Sequence, residues 1–549
     1  MNREKLYIKI PFLLLGLLVL NLLSNTFNIR VDLTKDKRYT LSKETINIVE
    51  NIEGPLAIKV YLQGNFPAEF KRIQMETSQF LEEINAINDN IKFRFVDPLN
   101  LSDELIKKGL QPSRLTVQED GQMSESIIFP WAIIDYKDKK VNVPLLSNIA
   151  ASSQEEQLQR SIESLEYQFA NALHKITAKK DKKIAVLKGN GELDDIYLYS
   201  FLNILGEYYK LAEFTLDSVA SNPQKTLKDL STYDLSLIAK PSKQFSEEEK
   251  FTLDQYIING GKTLWLVDNV YAELDSLMLN GSSLAFNRDL NLTDLLFNYG
   301  VRINYNITKD LYSSSIRLAS GNVGNQTQYQ DFLWHYFPLI LSDNKHPITT
   351  NLDPVLLKFP STMDTLKNGI SKTILLQSSL YAKPVGTPTN ISLDELAINA
   401  TPEEFNNGNQ IFGVLLEGNF KSAYATRVKP FESDMYKTMG TNNKMIIISD
   451  GDIIANEVFR GEPMPLDQDK WTGQTFGNTS FLLNSVHYLL DDSGIIKLRS
   501  KRLQIQFLDK EKAFQEKIYW QIFNLLLPLL ILASFGFVFN YTRKRRYSS

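Results

Sequence analysis

With 549 residues, 43% of them hydrophobic and 23% charged, the chain has the composition of a globular protein of two to four domains. A net charge of −4, without a long basic stripe along the body, argues against nucleic acid as a partner. There is no cysteine, which excludes disulfides, thiolate metal sites and a cysteine nucleophile.

The first element is "IKIPFLLLGLLVLNLL", Ile8 to Leu23. Its one charge is Lys9, and as a helix it would reach ~24 Å, adequate for a bilayer core. No small-x-small cleavage site follows, so residues 1–28 are expected to be an uncleaved anchor.

Residues 29–180 alternate strand and helix signals. "AIKVYL" (Ala57 to Leu62) has the period of a half-buried strand. Phe70, Ile73, Phe80, Ile84 and Ile87 then recur at helical spacing between Pro67 and Asn88. "IKFRFVDP" alternates again, and a short helix is expected from Ser102 to Lys108, ended by Gly109. "SIIFPWAIIDYKDKKVNVPLL" reads as two strands around a turn at Asp138. A long helix after Ser153 closes the domain. Ser153 and Glu156 form a capping-box pattern, and Leu158, Ile162, Leu165, Phe169, Leu173 and Ile176 make one apolar stripe. This order is that of a thioredoxin-like fold. Where a redox thioredoxin carries its cysteines, this chain reads "QGNFPAEF", so a binding or scaffolding role is expected.

Residues 181–510 begin a second α/β unit. "KKIAVLKGNGELDD" predicts a strand, a glycine loop and a helix through Tyr209. "YDLSLIAKP" predicts a strand, followed by a helix opened by the "SEEE" box at Ser246 and closed by Gly260 and Gly261. "KTLWLVDN" and "KMIIISDGDIIANE" supply two further buried strands. The alternation predicts a mostly parallel, Rossmann-like doubly wound sheet, with a ligand crevice at the carboxyl ends of its strands. A large, loop-rich insertion is expected over about 271–440.

Three motifs in this unit carry candidate chemistry. "GNGELDD" has Gly189 and Gly191 but Asp194 where a dinucleotide fingerprint needs a small residue, which favours a tight turn. "NGGKTLWL" has Tyr256 in place of the first phosphate-loop glycine, and Lys262 leads into a strand, so nucleotide binding is rejected. "SDGD" could bind a hard cation through Asp450 and Asp452, or supply a general base. It lacks the other ligands of a calcium loop and a neighbouring histidine. The pattern favours a turn, in which Gly451 permits an unusual backbone and the aspartates bond nearby amides. Asn190, Glu192, Asp450 and Asp452 are therefore candidate contacts for a polar ligand, and no catalytic residue, metal site or cofactor is assigned. The four histidines, His174, His335, His346 and His487, are scattered, with packing the default role.

Residues 511–549 contain "IYWQIFNLLLPLLILASFGFVFNY", Ile518 to Tyr541, uncharged over ~36 Å of helix. Tyr519, Trp520 and Tyr541 stand at its edges, where amphipathic rings favour headgroups. Arg543, Lys544, Arg545 and Arg546 follow directly and orient the C-terminus to the cytoplasm. With two spans both termini are cytoplasmic, and the large central part lies outside.

"RVDLTKDKRYTLSKETINIVENIEGPLAIKVYL", "NLTDLLFNYGVRIN", "HPITTNLDPVLLKFPSTMDTL", "GVLLEGNFKSAY" and "GNTSFLLNSVHYLLDDSGIIKLRSKRL" occur in an order that resembles one known family. It is that of the gliding-motility-associated ABC-transporter auxiliary proteins (GldG-like), also described as substrate-binding components. The resemblance implies a second domain similar to class I glutamine amidotransferase and intraflagellar-transport modules. The amidotransferase nucleophile is a cysteine, so that activity is not carried over. It further implies an inner-membrane complex of a cytoplasmic ATPase, a polytopic permease and this protein, with membrane lipid and envelope motility or secretion proteins as further partners. Rival expectations are a ligand-binding receptor subunit and an envelope hydrolase using Asp450 or Asp452.

Overall fold

The computed structural model describes residues 40–547, apart from 65–67, 120–121, 147–153, 325, 342–344, 398–399, 492 and 502–509. The anchor expected within 1–28 and the Ser153 end of the capping box lie outside the described residues. The chain forms two compact units, one up to Arg502 and one from Leu503 onward.

The first unit opens with α1 (Lys43–Glu50), whose N-cap Ser42 accepts a hydrogen bond from the Thr45 amide. Strand β1 (Leu56–Val60) follows, then α2 (Ala68–Ile87) and β2 (Ile91–Phe95). Helix α2 crosses over, so β1 and β2 pair in parallel. Strands β3 (Trp131–Tyr136) and β4 (Lys139–Pro144) flank the tight turn at Lys137 and Asp138, and the sheet order is β2-β1-β3-β4. A hairpin that the sequence reading left out pairs Ser113–Glu119 with Gln122–Ile128. Helix α3 (Gln154–Thr177) buries all six residues of its apolar stripe. Each such side chain contributes roughly 1.5–3 kcal/mol of hydrophobic stabilisation. The Phe80 and Phe169 rings stack at 5.2 Å and join α2 to α3.

Beyond α3 lie β5 (Lys183–Lys188), α4 (Asp195–Gly206), β6 (Lys210–Thr215), β7 (Leu235–Ala239), α5 (Glu247–Ile258) and β8 (Lys262–Leu266). Further strands are β9 (Val301–Ile303), β10 (Met363–Thr365), β11 (Ser371–Gln377), β12 (Ile411–Gly418) and β13 (Asn443–Ile448), and α6 (Asn478–Leu490) follows. They build one nine-stranded sheet in the order β9-β10-β12-β13-β8-β7-β5-β6, with β11 paired to β12. The five strands from β6 to β13 are parallel. The other four are antiparallel, so the sheet is mixed where a mostly parallel one was expected. No helix crosses between β12 and β13, and the chain simply turns back on itself. Residues 271–440 thus supply four of the nine strands as well as smaller sheets of their own.

Both faces of the large sheet are covered. Successive strand residues point to opposite sides, so Trp265, Ile447 and Val414 pack towards α5 on one face. Leu264, Leu266, Ile446 and Ile448 pack towards α4 and α6 on the other. Helix α5 carries the expected capping box: Ser246 and Glu249 exchange side-chain and backbone hydrogen bonds.

Residues from the two ends of the described part of the first unit meet on α3. Glu166, buried on α3, accepts from the Ser42 amide (2.7 Å) and the Thr45 hydroxyl (2.8 Å) through Oε1. Its Oε2 lies 2.8 Å from Lys501 Nζ, and that ammonium also donates to the Thr40 carbonyl at 3.0 Å.

The second unit contains a short helix, Lys510–Gln515, and α7 (Lys517–Tyr547). Among the described residues α7 is the one helix long and apolar enough to cross a membrane, with Pro528 inside it and a basic last turn.

Candidate functional site

Three central parallel strands deliver charged residues from their carboxyl ends. Strand β7 runs into Lys240, β8 into Asp268, and β13 into Asp450, Gly451 and Asp452. The Lys240 ammonium lies 2.6 Å from Asp452 Oδ1, 3.1 Å from Glu273 Oε1 and 3.7 Å from Asp268 Oδ2. Only 8% of its side chain is exposed. Burial alone would favour the neutral amine, but the carboxylates of Asp452, Asp268 and Glu273 outweigh it and hold the pKa above the usual lysine range. Arg288, 3.8 Å from Glu273, adds a second cation.

Asp450 is fully buried and works as a backbone clip. Its Oδ2 accepts from the Lys358 amide (2.6 Å) and its Oδ1 from the Asp452 amide (2.7 Å). Burial, then the negative charges of Asp268 and Asp452, push its pKa well above the ordinary carboxylate range. The expectation that the aspartates bond nearby amides agrees with this geometry for Asp450, whereas the Asp452 carboxylate meets the Lys240 ammonium. The expected unusual backbone at Gly451 does not: its φ is −81°. The glycine is needed because a Cβ there would stand 2.5 Å from Lys240 Cγ and 3.0 Å from Lys240 Cα. The residue with a left-handed backbone is Lys240 itself, at φ 54°.

The glycine loop forms a separate group at the end of β5. Gly189 and Gly191 adopt φ of 114° and 69°, a region that favours glycine. The Asn190 amide donates to Glu192 Oε2 (2.8 Å), and its side-chain Nδ2 donates to Glu249 Oε2 (2.9 Å). Asn190 Oδ1 and Glu192 Oε1 are buried without a hydrogen-bond partner. Burial raises the Glu192 pKa.

Asn190 is therefore joined to Glu192, and Asp450 to Asp452, but β7 and β8 stand between the strands that carry the two pairs. The sequence reading missed Lys240, Asp268 and Glu273. Lys240 closes "LSLIAK" and Asp268 closes "LWLVD", and a charge that ends a buried run was the available signal. His335 Nδ1 lies 3.2 Å from the Asp310 carbonyl, and the His346 ring packs on Tyr488. His174 and His487 come together at the opposite end of the sheet.

All of Asn190, Glu192, Lys240, Asp268, Asp450 and Asp452 fall within residues 181–485, which match the family model described as an ABC-type uncharacterized transport system. The chain belongs to this family. The match covers the large sheet and associates the protein with ABC-type transport. Outside the transport-system match, residues 35–135 match a domain of unknown function. An uncharacterized protein of Borreliella burgdorferi (strain ATCC 35210 / DSM 4680 / CIP 102532 / B31) is 23% identical over 533 residues, covering 94% of each chain. A solved structure titled "mmIFT52 N-terminal domain" aligns with 56% of this chain and 98% of its own, at 12% identity and a TM-score of 0.29, too low to bear on topology.

Proposed function

We propose that the protein is a non-catalytic auxiliary subunit of an ABC-type transport complex, held at the inner membrane by a span at each end. The large folded part lies in the periplasm and both termini are cytoplasmic, with Arg543 to Arg546 setting the orientation. The observation that carries this reading is the match of residues 181–485 to the ABC-type transport family, and the Glu166 junction, which holds Thr40 beside Lys501, fits anchors that approach from one side. ATP-driven motion of a permease would move both anchors, and the rigid first unit would pass that motion to envelope partners, those of gliding motility foremost. In fold terms, the four-stranded sheet is read as a thioredoxin-like domain of about 29–180 and the nine-stranded sheet as a Rossmann-like, amidotransferase-like domain of about 181–510.

A hydrolase role is not proposed, because Asp450 is committed to two amides and Asp452 to Lys240. Mild-detergent purification of the tagged full chain with mass spectrometry tests the reading. Co-purification of an ATPase and a polytopic permease is expected, and their absence would remove it.

A receptor role is the second reading, favoured by the partnerless Asn190 Oδ1 and Glu192 Oε1. Asn190, Glu192, Asp450 and Asp452 would then frame a small polar ligand. On the Asp450 side, Lys240 already occupies the place of a cation. Ligand-dependent thermal stabilisation that Asp450→Ala or Glu192→Gln abolishes would support it.

A further inference from the structure

Along α3, Arg160, Ser164 and Gln168 stand four residues apart and share one face, opposite the buried stripe of Leu158, Ile162 and Leu165. All three are half-buried, because a second wall closes over them. It consists of Pro144 and Leu146 at the end of β4, with Asn351 and Arg499 from much later in the chain. Between the walls lies a cavity of about 60 Å³. That is space for one compact ion and too little for a jointed molecule.

The charge of this cavity is one-sided. Arg160 and Arg499 both line it, and among the described residues no aspartate or glutamate does. Neither the Arg160 guanidinium nor the Gln168 amide makes a hydrogen bond or ion pair among the described residues. Arg499 is held in place: Nη2 donates to the Thr350 carbonyl at 2.6 Å and the Asn351 carbonyl at 3.3 Å. Its guanidinium carbon lies 4.8 Å from the centre of the Tyr167 ring. Nε is sealed inside the wall, so Nη1 is the nitrogen that is neither sealed nor bonded among the described residues. Ser164 gives its proton to the Ser161 carbonyl at 3.1 Å. Helix α3 passes the cavity with its middle turns, whose carbonyls are bonded within the helix. Two cations across so small a space repel each other, and an anion between them turns that repulsion into attraction.

We infer that this cavity binds a phosphate group, held by Arg160 on one wall and Arg499 on the other, with Gln168 as a further donor. Guanidinium forks match phosphate oxygens. A tetrahedral ion offers oxygens to both walls at once, whereas a planar carboxylate presents its two oxygens to one side. Inorganic phosphate and the phosphate of a lipid headgroup share this chemistry.

Calorimetric titration of the full chain in detergent, in phosphate-free buffer, tests this with inorganic phosphate, dioctanoyl phosphatidic acid and formate. At least one of the two phosphates is expected to bind about tenfold more tightly than formate. Tighter binding of the ion assigns the site to free phosphate, and tighter binding of the lipid assigns it to a headgroup. Arg160→Gln should weaken phosphate by about tenfold at an unchanged melting temperature, since this side chain has no protein partner to lose among the described residues. Arg160→Lys keeps the charge without the fork and should fall between wild type and Arg160→Gln. Added phosphate should raise the melting temperature of the wild type and leave that of Arg160→Gln unmoved. Formate binding as tight as phosphate, no binding of either phosphate to the wild type, or undiminished binding to Arg160→Gln would each overturn the assignment.

Discussion

The carboxylate of Glu166 joins Lys501 at 2.8 Å through one oxygen while its other oxygen holds Ser42 and Thr45, so one side chain ties together segments some 460 residues apart. Burial opposes its charge, but Lys501 and the Ser42 bonds prevail and hold the pKa below the ordinary glutamate range.

Glu166→Ala is expected to cost about 2 kcal/mol, the scale of hydrogen bonds to a charged group. Amide exchange should accelerate over 43–50 and 495–500, the segments that the carboxylate holds. The sign with pH follows from the lowered pKa: this stabilisation is fully present above the unfolded glutamate value of ~4.3 and is lost as pH falls from there through the lower folded-state value. Mass-resolved hydrogen exchange that shows no change in either segment would count against the junction.

Lys240→Met should be more damaging. It leaves Asp452, Glu273 and Asp268 without their shared cation, and removing one partner of a buried pair typically costs about 3–5 kcal/mol. Adding Asp452→Asn should recover part of the loss in urea denaturation. If the double variant is as unstable as the sum of the two single ones, the coupling described here is absent.

Gly451→Ala is expected to destabilise by about 1–3 kcal/mol although its backbone is ordinary, because the new methyl strikes Lys240. In a Lys240→Gly background the same change should be much milder. Thermal melts of the four proteins measure this, and an equal effect in both backgrounds would locate the cause elsewhere.

His487 predicts an acid-sensitive fold. Burial, only partly opposed by Asp491, pushes its folded-state pKa to about 3, against ~6.5 when unfolded. The folded state therefore binds fewer protons, and stability falls as pH drops from about 6.5 towards 3, at up to ~1.4 kcal/mol per unit. His174 is shifted the same way. Between pH 7 and 5 the unfolding free energy of His487→Phe should decline less steeply than that of the wild type. Parallel slopes would contradict the assignment.

The parallel half of the large sheet was legible because β5, β7, β8 and β13 are apolar runs that stop at glycine or charge, as doubly covered strands must. Strands β9 and β10 were not, since three residues such as Val301–Ile303 carry no period. The 113–128 hairpin was hidden by its polarity, although "EDGQ" offered a turn signal. At the site, Asp450 and Asp452 stood out as a pair, but Lys240, the cation that Asp452 meets, lies far away in sequence and reaches it only because β7, β8 and β13 are neighbours. A single chain of letters displays like charges side by side and conceals both the distant cation that meets Asp452 and the backbone amides that Asp450 holds.

The place of β13 in the sheet also sets the timing of folding. Ile448 aligns with Leu266 on one side and Gly413 on the other, so the middle of the sheet is completed by a strand made roughly 180 residues after its neighbour β8. Until it emerges, β8 presents an open edge with Leu264 and Leu266 beside it, the kind of surface that aggregates. A nascent chain that stalls before Asn443 thus lacks the strand that completes the large sheet. Synthesis of the polypeptide must be nearly complete before the middle of the large sheet is secure.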